Sequence, residues 1–231
     1  MIAGQKMYGS NGKQNFLFPL PSMYLTQGSY SYTYSHNGSY AMDFVGWGEN
    51  GRIYNAPYYA PFDCHLVAIW GSTSPMLVWQ SDDEVNFIDG SVDYACIGFC
   101  HDDNIPTFSV GDTRSQGDII GHTGTYGADA DHVHIEAKKG QYNGYHKNID
   151  DVWMLTDSTW LYDLIGINDT IIYKDYYINM NKVRVDYPWE EFSVSPSPTG
   201  DTKSNFPWVL YANRIRNRNN WQINVNMIGW C

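Results

Sequence analysis

Two histidines one residue apart, His132 and His134, are the densest chemistry in the chain. If their segment is a strand, residues i and i+2 point to one face, and two imidazoles converge on one place. A sheet builds half of a metal site that way. Far upstream, His36 and Asp43 flank Asn37-Gly38-Ser39-Tyr40-Ala41-Met42, a turn followed by the start of an alternating strand. A catalytic zinc takes three protein ligands from histidine and carboxylate and keeps a fourth position open. His36, Asp43 and one of His132 or His134 supply that set; spacing alone leaves open which of the pair ligates, or whether both do. His101 is a further candidate, since it follows an apolar strand and precedes Asp102 and Asp103. Each group taken singly reads as a surface histidine or a turn carboxylate, and only the combination points to a metal. The run Gly121-His122-Thr123-Gly124-Thr125-Tyr126-Gly127 permits tight turns and close backbone approach just before His132. It lacks the Lys-Ser/Thr ending and the following helix of a phosphate loop.

Strands must position these groups. Short runs rich in Tyr, Val, Ile, Trp and Thr recur between Gly, Asn, Asp and Pro clusters. That pattern implies a mainly β chain, an antiparallel sandwich or barrel-like core with few helices. Strands are expected over 29–34, 40–45, 65–70, 76–80, 92–100 and 132–137. One helix is expected over 149–164, where Val152, Leu155, Trp160, Leu161 and Leu164 repeat at close to helical spacing and Gly166 supplies a stop. The stretch Ser193-Val194-Ser195-Pro196-Ser197-Pro198-Thr199-Gly200 reads as an extended linker. The expected organisation is therefore a main domain over 1–192, a Ser/Pro/Gly linker over 193–205 and a basic aromatic tail over 206–231.

At 231 residues, with 43% apolar, 16% aromatic and 17% charged, the chain suits one globular core plus an appendage. A net charge of −11 argues against a nucleic-acid partner. Residues 202–231 hold Lys203, Arg214, Arg216 and Arg218 and no acid, so residues 1–201 carry −15, the total of −11 less that +4. Such an acidic domain is repelled by anionic polymers. The tail also holds Trp208, Tyr211, Trp221 and Trp230, and arginine with aromatics makes either a binding anchor or a strand pair that folds back. No apolar run approaches the ~20 residues of a membrane span, and Pro19 and Pro21 cut the early apolar stretch, so no secretory leader is expected. Cys64, Cys96, Cys100 and Cys231 are too sparse for a disulfide scaffold and are expected reduced. Cys96 and Cys100, four apart in one strand and so about 13 Å apart, cannot bridge each other.

In order along the chain, His36 and Asp43, Ala60-Pro61-Phe62-Asp63, the run from Tyr94 to His101, Gly117-Asp118-Ile119-Ile120-Gly121-His122-Thr123-Gly124 and His132-Val133-His134-Ile135-Glu136 resemble the lysostaphin and LytM family of zinc endopeptidases. Those enzymes cut peptides of bacterial peptidoglycan. The resemblance covers roughly residues 30–140, and the terminal His-x-His-x-Glu after a Thr-Gly turn is its most specific part. It implies Zn2+ as cofactor, His36, Asp43 and His134 as its ligands, His132 as general base, His101 as the group that stabilises the transition state, and peptidoglycan as substrate. Two departures stand out. Six residues rather than the usual three separate His36 and Asp43, a spacing that resembles peptidase domains on the tail tips of short-tailed phages of Gram-positive hosts. The stretch Ala128-Asp129-Ala130-Asp131 replaces the usual Gly-containing approach to His132.

The resulting expectation is a virion-associated lysin at a phage tail tip that opens the host cell wall, with its C-terminal tail contacting other phage tail proteins. An inactive structural or receptor-contacting tail protein of the same fold, and an endolysin of amidase specificity, are the alternatives. Among the remaining groups, His65, His122 and His146 are assigned to strand, turn and loop without partners. Glu136 shares a strand face with His134 and is expected to reach solvent rather than orient a ligand. Tyr30, Tyr32 and Tyr34 share one face just before His36. The acidic runs Asp82-Asp83-Glu84 and Asp150-Asp151 fit no calcium loop and read as solvated turns.

Overall fold

Strands form here where β-branched and aromatic residues run between turn residues, and how apolar each run is depends on whether one or both of its faces are covered. The computed structural model describes residues 3–20, 23–27, 35–48, 51–87, 89–104, 107–159 and 161–164, together with the backbone of 170–173 and 176–179. The expected linker, the tail and the strand over 29–34 with its three tyrosines lie outside the described residues, as does Cys231. In chain order the elements are β1 (Met23–Gln27), β2 (Met42–Gly48), β3 (Gly51–Ile53), β4 (Pro57–Tyr59), β5 (Cys64–Trp70), β6 (Met76–Ser81), β7 (Val85–Asn86), β8 (Val92–Asp93), β9 (Ala95–Cys100), β10 (Thr113–Arg114), β11 (Ile119–His122), β12 (Val133–Lys139), β13 (Tyr145–Lys147), β14 (Trp153–Leu155), α1 (Leu161–Leu164), β15 (Thr170–Tyr173) and β16 (Tyr176–Asn179). One large sheet runs β10-β5-β6-β9-β12-β2-β1-β15-β16, with β3 added beside β2, while β4–β11, β7–β8 and β13–β14 form small separate ladders. Every ladder between these strands is antiparallel except β1–β15. The mainly β, antiparallel class expected from the sequence is the one observed.

The central strands are covered on both faces. All six residues of β9 and the first six of β12 are buried, whereas β5, nearer the sheet edge, shows a more broken pattern. One face packs the main core of Phe16, Phe18, Met42, Phe44, Trp79, Phe99, Val133 and Ile135. The opposite face packs a smaller cluster of Met76, Val78, Cys96, Cys100 and Leu155. Because side chains alternate along a strand, Val133 and Ile135 in the main core send His134 and Glu136 to the smaller cluster's face. Cys64, Cys96 and Cys100 are free and buried.

The helix expected over 149–164 is not formed. Residues 153–155 are instead a strand paired with β13, and among the described residues of that span only 161–164 are helical. The cause is local turn chemistry: Asn148 Oδ1 accepts from the N–H groups of Asp150 and Val152 at 2.9 Å each, and Asp151 takes a φ of 64°. An Asx-type turn of this kind offers the backbone an alternative to helix. The run expected over 92–100 breaks at Tyr94 into β8 and β9, and the strand expected from 132 begins at Val133.

The glycine-rich run does permit a close backbone approach. Gly124 and His132 exchange both backbone hydrogen bonds, at 3.0 and 2.9 Å. A Cβ on Gly124 would lie 2.4 Å from the His101 carbonyl oxygen and 2.7 Å from the Asp103 amide. Backbone atoms cannot swing aside as a flexible side chain can, so Gly124→Ala is expected to cost about 1–3 kcal/mol as overpacking, read from chemical denaturation. Unchanged stability would mean that the His101 loop moves freely from Gly124.

Candidate metal centre

The register of β12 builds the site. On one side His134 lies directly opposite Asp43 of β2, and on the other opposite Cys100 of β9, the residue before His101. Directly opposed residues share a face with Cβ atoms about 4.5–5.5 Å apart, so the imidazole and the carboxylate meet without further adjustment. His36 comes from the turn before β2. That turn is closed by the Ser39 N–H donating to the His36 carbonyl at 3.1 Å and steadied by the Ala41 N–H donating to Ser39 Oγ at 2.9 Å. The three groups are buried. Their atoms form a near-equilateral triangle: His36 Nε2 to Asp43 Oδ1 is 3.1 Å, His36 Nε2 to His134 Nδ1 is 3.2 Å, and His134 Nδ1 to Asp43 Oδ1 is 3.0 Å.

That triangle suits a zinc ion. Ligand atoms at ~2.0–2.1 Å around a tetrahedral zinc lie roughly 3.3 Å apart, close to the separations observed. The donor chemistry agrees. His134 Nε2 is 3.1 Å from Glu136 Oε1, and a carboxylate only accepts, so Nε2 carries a proton and a neutral His134 turns the Nδ1 lone pair toward Asp43 and His36. Three lone-pair donors facing one point repel unless a proton or a metal ion sits among them. Burial works against a charged imidazole at 134, but hydrogen bonds to Asp43 and Glu136 outweigh it and raise the pKa to about 10. Burial would likewise raise the Asp43 carboxyl, yet the charges and hydrogen bonds of His36 and His134 hold it well below the ordinary carboxylate range.

Glu136 does not reach solvent as expected. It is 1% exposed, with Oε1 on His134 and Oε2 accepting the Leu155 N–H at 2.7 Å. The position two residues after His134 carried this signal; the β14 backbone donor that draws the carboxylate inward has no mark in the sequence. Such a carboxylate behind a ligating histidine fixes ring orientation and tautomer.

His132 and His101 stand beside the triangle. His132 Nδ1 donates to the Ala130 carbonyl at 2.7 Å, which leaves Nε2 as the lone-pair nitrogen, 3.6 Å from Asp43 Oδ2. The His101 ring lies 4.5 Å from that of His132 and 6.0 Å from that of His134, centroid to centroid. His101 Nδ1 donates to the Tyr126 carbonyl at 2.9 Å, with Ser74 Oγ at 3.0 Å from the same nitrogen. Burial, with the neighbouring His134 and His132, lowers the His101 pKa to about 4. The His101 backbone has a φ of 78°, the left-handed region that a non-glycine residue seldom adopts. Asp102 and Asp103 hold it there: Asp102 Oδ2 accepts the His122 N–H at 2.8 Å, and Asp103 Oδ1 accepts the Thr125 N–H at 2.8 Å. The cleft wall at 128–131 is fixed by Asp131, which accepts from Thr123 Oγ1 and from the Asn55 N–H at 2.9 Å each. Sequence reading missed Ser74, which lies in a loop 27 positions before His101. His65 pairs with Asp82 at 2.6 Å on the surface, His122 ends β11, and His146 is exposed in β13; none of the three joins the His36-Asp43-His134 group.

The fold and these side chains define a mainly antiparallel β protein with a buried His-Asp-His donor set of zinc type. Comparison with known proteins gives matches of two kinds. The chain is 37% identical over 163 residues to Morphogenesis protein 1 of Bacillus phage B103, an alignment covering 69% of this chain and 42% of that protein. It therefore spans less than half the length of that curated relative. Among solved structures it is similar to a zinc-containing peptidase from Vibrio cholerae, with 15% identity, a TM-score of 0.36 and coverage of 57% of this chain and 42% of that one. It is also similar to the catalytic domain of the antimicrobial peptidase lysostaphin from Staphylococcus simulans, with 18% identity, a TM-score of 0.34 and coverage of 65% and 87%. No family model matches the chain.

Two outcomes are expected for metal binding. Glu136→Ala removes the acceptor behind His134 and is expected to weaken zinc binding about 10–100-fold, measured by competition with a chelating dye; unchanged affinity would mean that His134 holds its orientation unaided. The second concerns pH. The His134 proton stabilises the metal-free fold fully below the ordinary value of 6.5, and that contribution is lost as pH rises toward 10. A zinc ion held by Nδ1 would displace that proton, so its stabilising effect would grow over the same range. Zinc should raise Tm more at pH 8 than at pH 6, and equal shifts at both would mean that no proton is displaced.

Proposed function

We propose that the chain belongs to the lysostaphin and LytM family and is a zinc-dependent endopeptidase that hydrolyses peptide cross-links of bacterial peptidoglycan. In this reading it sits at the tail tip of a phage virion and opens the host cell wall. The observation that carries the proposal is the meeting of His36 Nε2, Asp43 Oδ1 and His134 Nδ1 within 3.2 Å of one another, with His132 and His101 alongside. The phage relative supports the viral setting.

His36, Asp43 and His134 would hold the metal, which supplies Lewis-acid polarisation of a scissile carbonyl and ionises water near neutral pH. His132, with its Nδ1 proton committed to the Ala130 carbonyl, offers Nε2 to take a proton from the attacking water and return it to the leaving amine. His101 is neutral before reaction, its Nδ1 proton committed to the Tyr126 carbonyl. As negative charge develops on the substrate oxygen, His101 takes up a proton from solvent water at Nε2, donates it in a hydrogen bond to that oxygen, and returns it to solvent when the carbonyl reforms. Residues 193–205 serve as a linker and 206–231 as the contact for other tail proteins.

The test is mass spectrometry of products from purified peptidoglycan digested by the zinc-loaded chain, with a chelated sample and His134→Ala as controls. New free amines at cross-link peptide bonds, lost in both controls, are the expected result. Release of intact stem peptides would make the protein an amidase, and no products from several wall types despite bound zinc would leave the structural tail role. His132→Ala and His101→Ala are each expected to lower turnover about 10²–10⁴-fold with one zinc retained per chain. Loss of the metal in either variant would reassign that histidine as a ligand.

A further inference from the structure

Beside the metal triangle, on the same face of the sheet, three aromatic rings form a connected patch. Trp70 ends β5, Tyr145 begins β13 and Trp153 begins β14. The Trp70 and Tyr145 rings stack at 5.2 Å between centroids, and Trp153 meets Tyr145 edge-on at 4.9 Å and 88°. Trp70 packs against the cluster of Cys96, Cys100 and Leu155 that shares its face with His134. Its indole N–H is buried with no hydrogen-bond acceptor, so packing and stacking alone hold the ring. Tyr145 and Trp153 remain 48% and 44% exposed.

Two hydrogen bonds join this patch to the site. The Leu155 N–H of β14 donates to Glu136, which holds His134. In the turn between β13 and β14, Asn148 Nδ2 donates to the carbonyl of Asn37, the residue after His36, at 3.2 Å. The β13–β14 hairpin thus borders both histidines of the triangle while carrying two exposed rings. A ladder of three residues a side gains little stability from rings left in water, which marks them as a contact surface.

The charge on the patch selects what it contacts. Lys147 Nζ lies 4.7 Å from the Trp153 centroid but is paired with Asp151 at 2.6 Å, so the ring faces are offered without a free cation. Exposed rings also stack nucleic-acid bases, but that binding needs a basic groove, and residues 1–201 carry −15. The same charge repels anionic wall polymers. An uncharged ligand with polarised C–H groups on a flat face suits the negative face of an aromatic ring, and pyranose sugars have that chemistry. We infer that Trp70, Tyr145 and Trp153 form a saccharide-binding platform that seats the uncharged glycan strand of peptidoglycan beside the metal site. This inference rests on the reading of the site as a peptidoglycan hydrolase and assigns it a second point of hold on its substrate.

The probe is a hexamer of N-acetylglucosamine, titrated into the full zinc-loaded chain and followed by tryptophan fluorescence and by NMR. Saturable binding is expected, weakened at least tenfold in Trp153→Ala and in Tyr145→Ala and largely kept in Trp153→Phe, with Tm unchanged to show that the variants fold. Digestion of whole sacculi should fall in the two alanine variants, while hydrolysis of a soluble cross-link peptide without sugars stays at the wild-type rate. Failure of the wild-type chain to bind the hexamer, or equal binding by Trp153→Ala, overturns the platform. Loss of soluble-peptide hydrolysis in the folded alanine variants also overturns it, by making the rings part of the peptide cleft. If the wild-type chain binds the hexamer but hydrolyses no cross-link peptide, the platform stands and the endopeptidase reading falls.

Discussion

One cross-strand pairing underlies the site: Asp43 faces His134 across the β2–β12 ladder. A slip of a single residue would turn every side chain of one strand to the other face and pull the acid away from the imidazole. The site is too small and too polar to set that register. The flanking residues set it, because Met42 and Phe44 on β2 and Val133 and Ile135 on β12 all enter the main core. Each such side chain gains roughly 1.5–3 kcal/mol from leaving water, and all four lose their place together if the strands slip. Apolar burial on one face of the sheet thus holds polar groups at fixed distances on the other.

This division of labour fixes three prospective ligand atoms about 3 Å apart. They are kept together by a ladder that cannot shift and by a buried carboxylate, Glu136, whose two oxygens are both occupied. Preorganisation of this kind lets a small ion bind without first moving the protein.

Much of this was legible in the sequence, and the misses have physical causes. The His-x-His spacing brought both imidazoles to Asp43, His134 from β12 and His132 from the residue just before it, and the strand class followed from composition and punctuation. The near-helical repeat over 149–164 misled because an Asn148 turn and a cross-strand partner outweigh periodicity in so short a segment. Glu136 was read as exposed because the donor that draws it inward is a backbone N–H, and backbone donors leave no trace in residue type. Ser74 was invisible for a different reason: it reaches His101 through a loop contact between segments 27 residues apart. The role of Asp102 and Asp103 as clamps on the glycine-rich loop is likewise a matter of tertiary placement.

The left-handed backbone at His101 has an evolutionary corollary. A φ of 78° costs a histidine about 1–3 kcal/mol that a glycine there would not bear, and an asparagine would bear less of it. Selection for folding alone therefore runs against the imidazole at this position. A descendant of this chain with glycine or asparagine at position 101 would fold more stably than one with histidine.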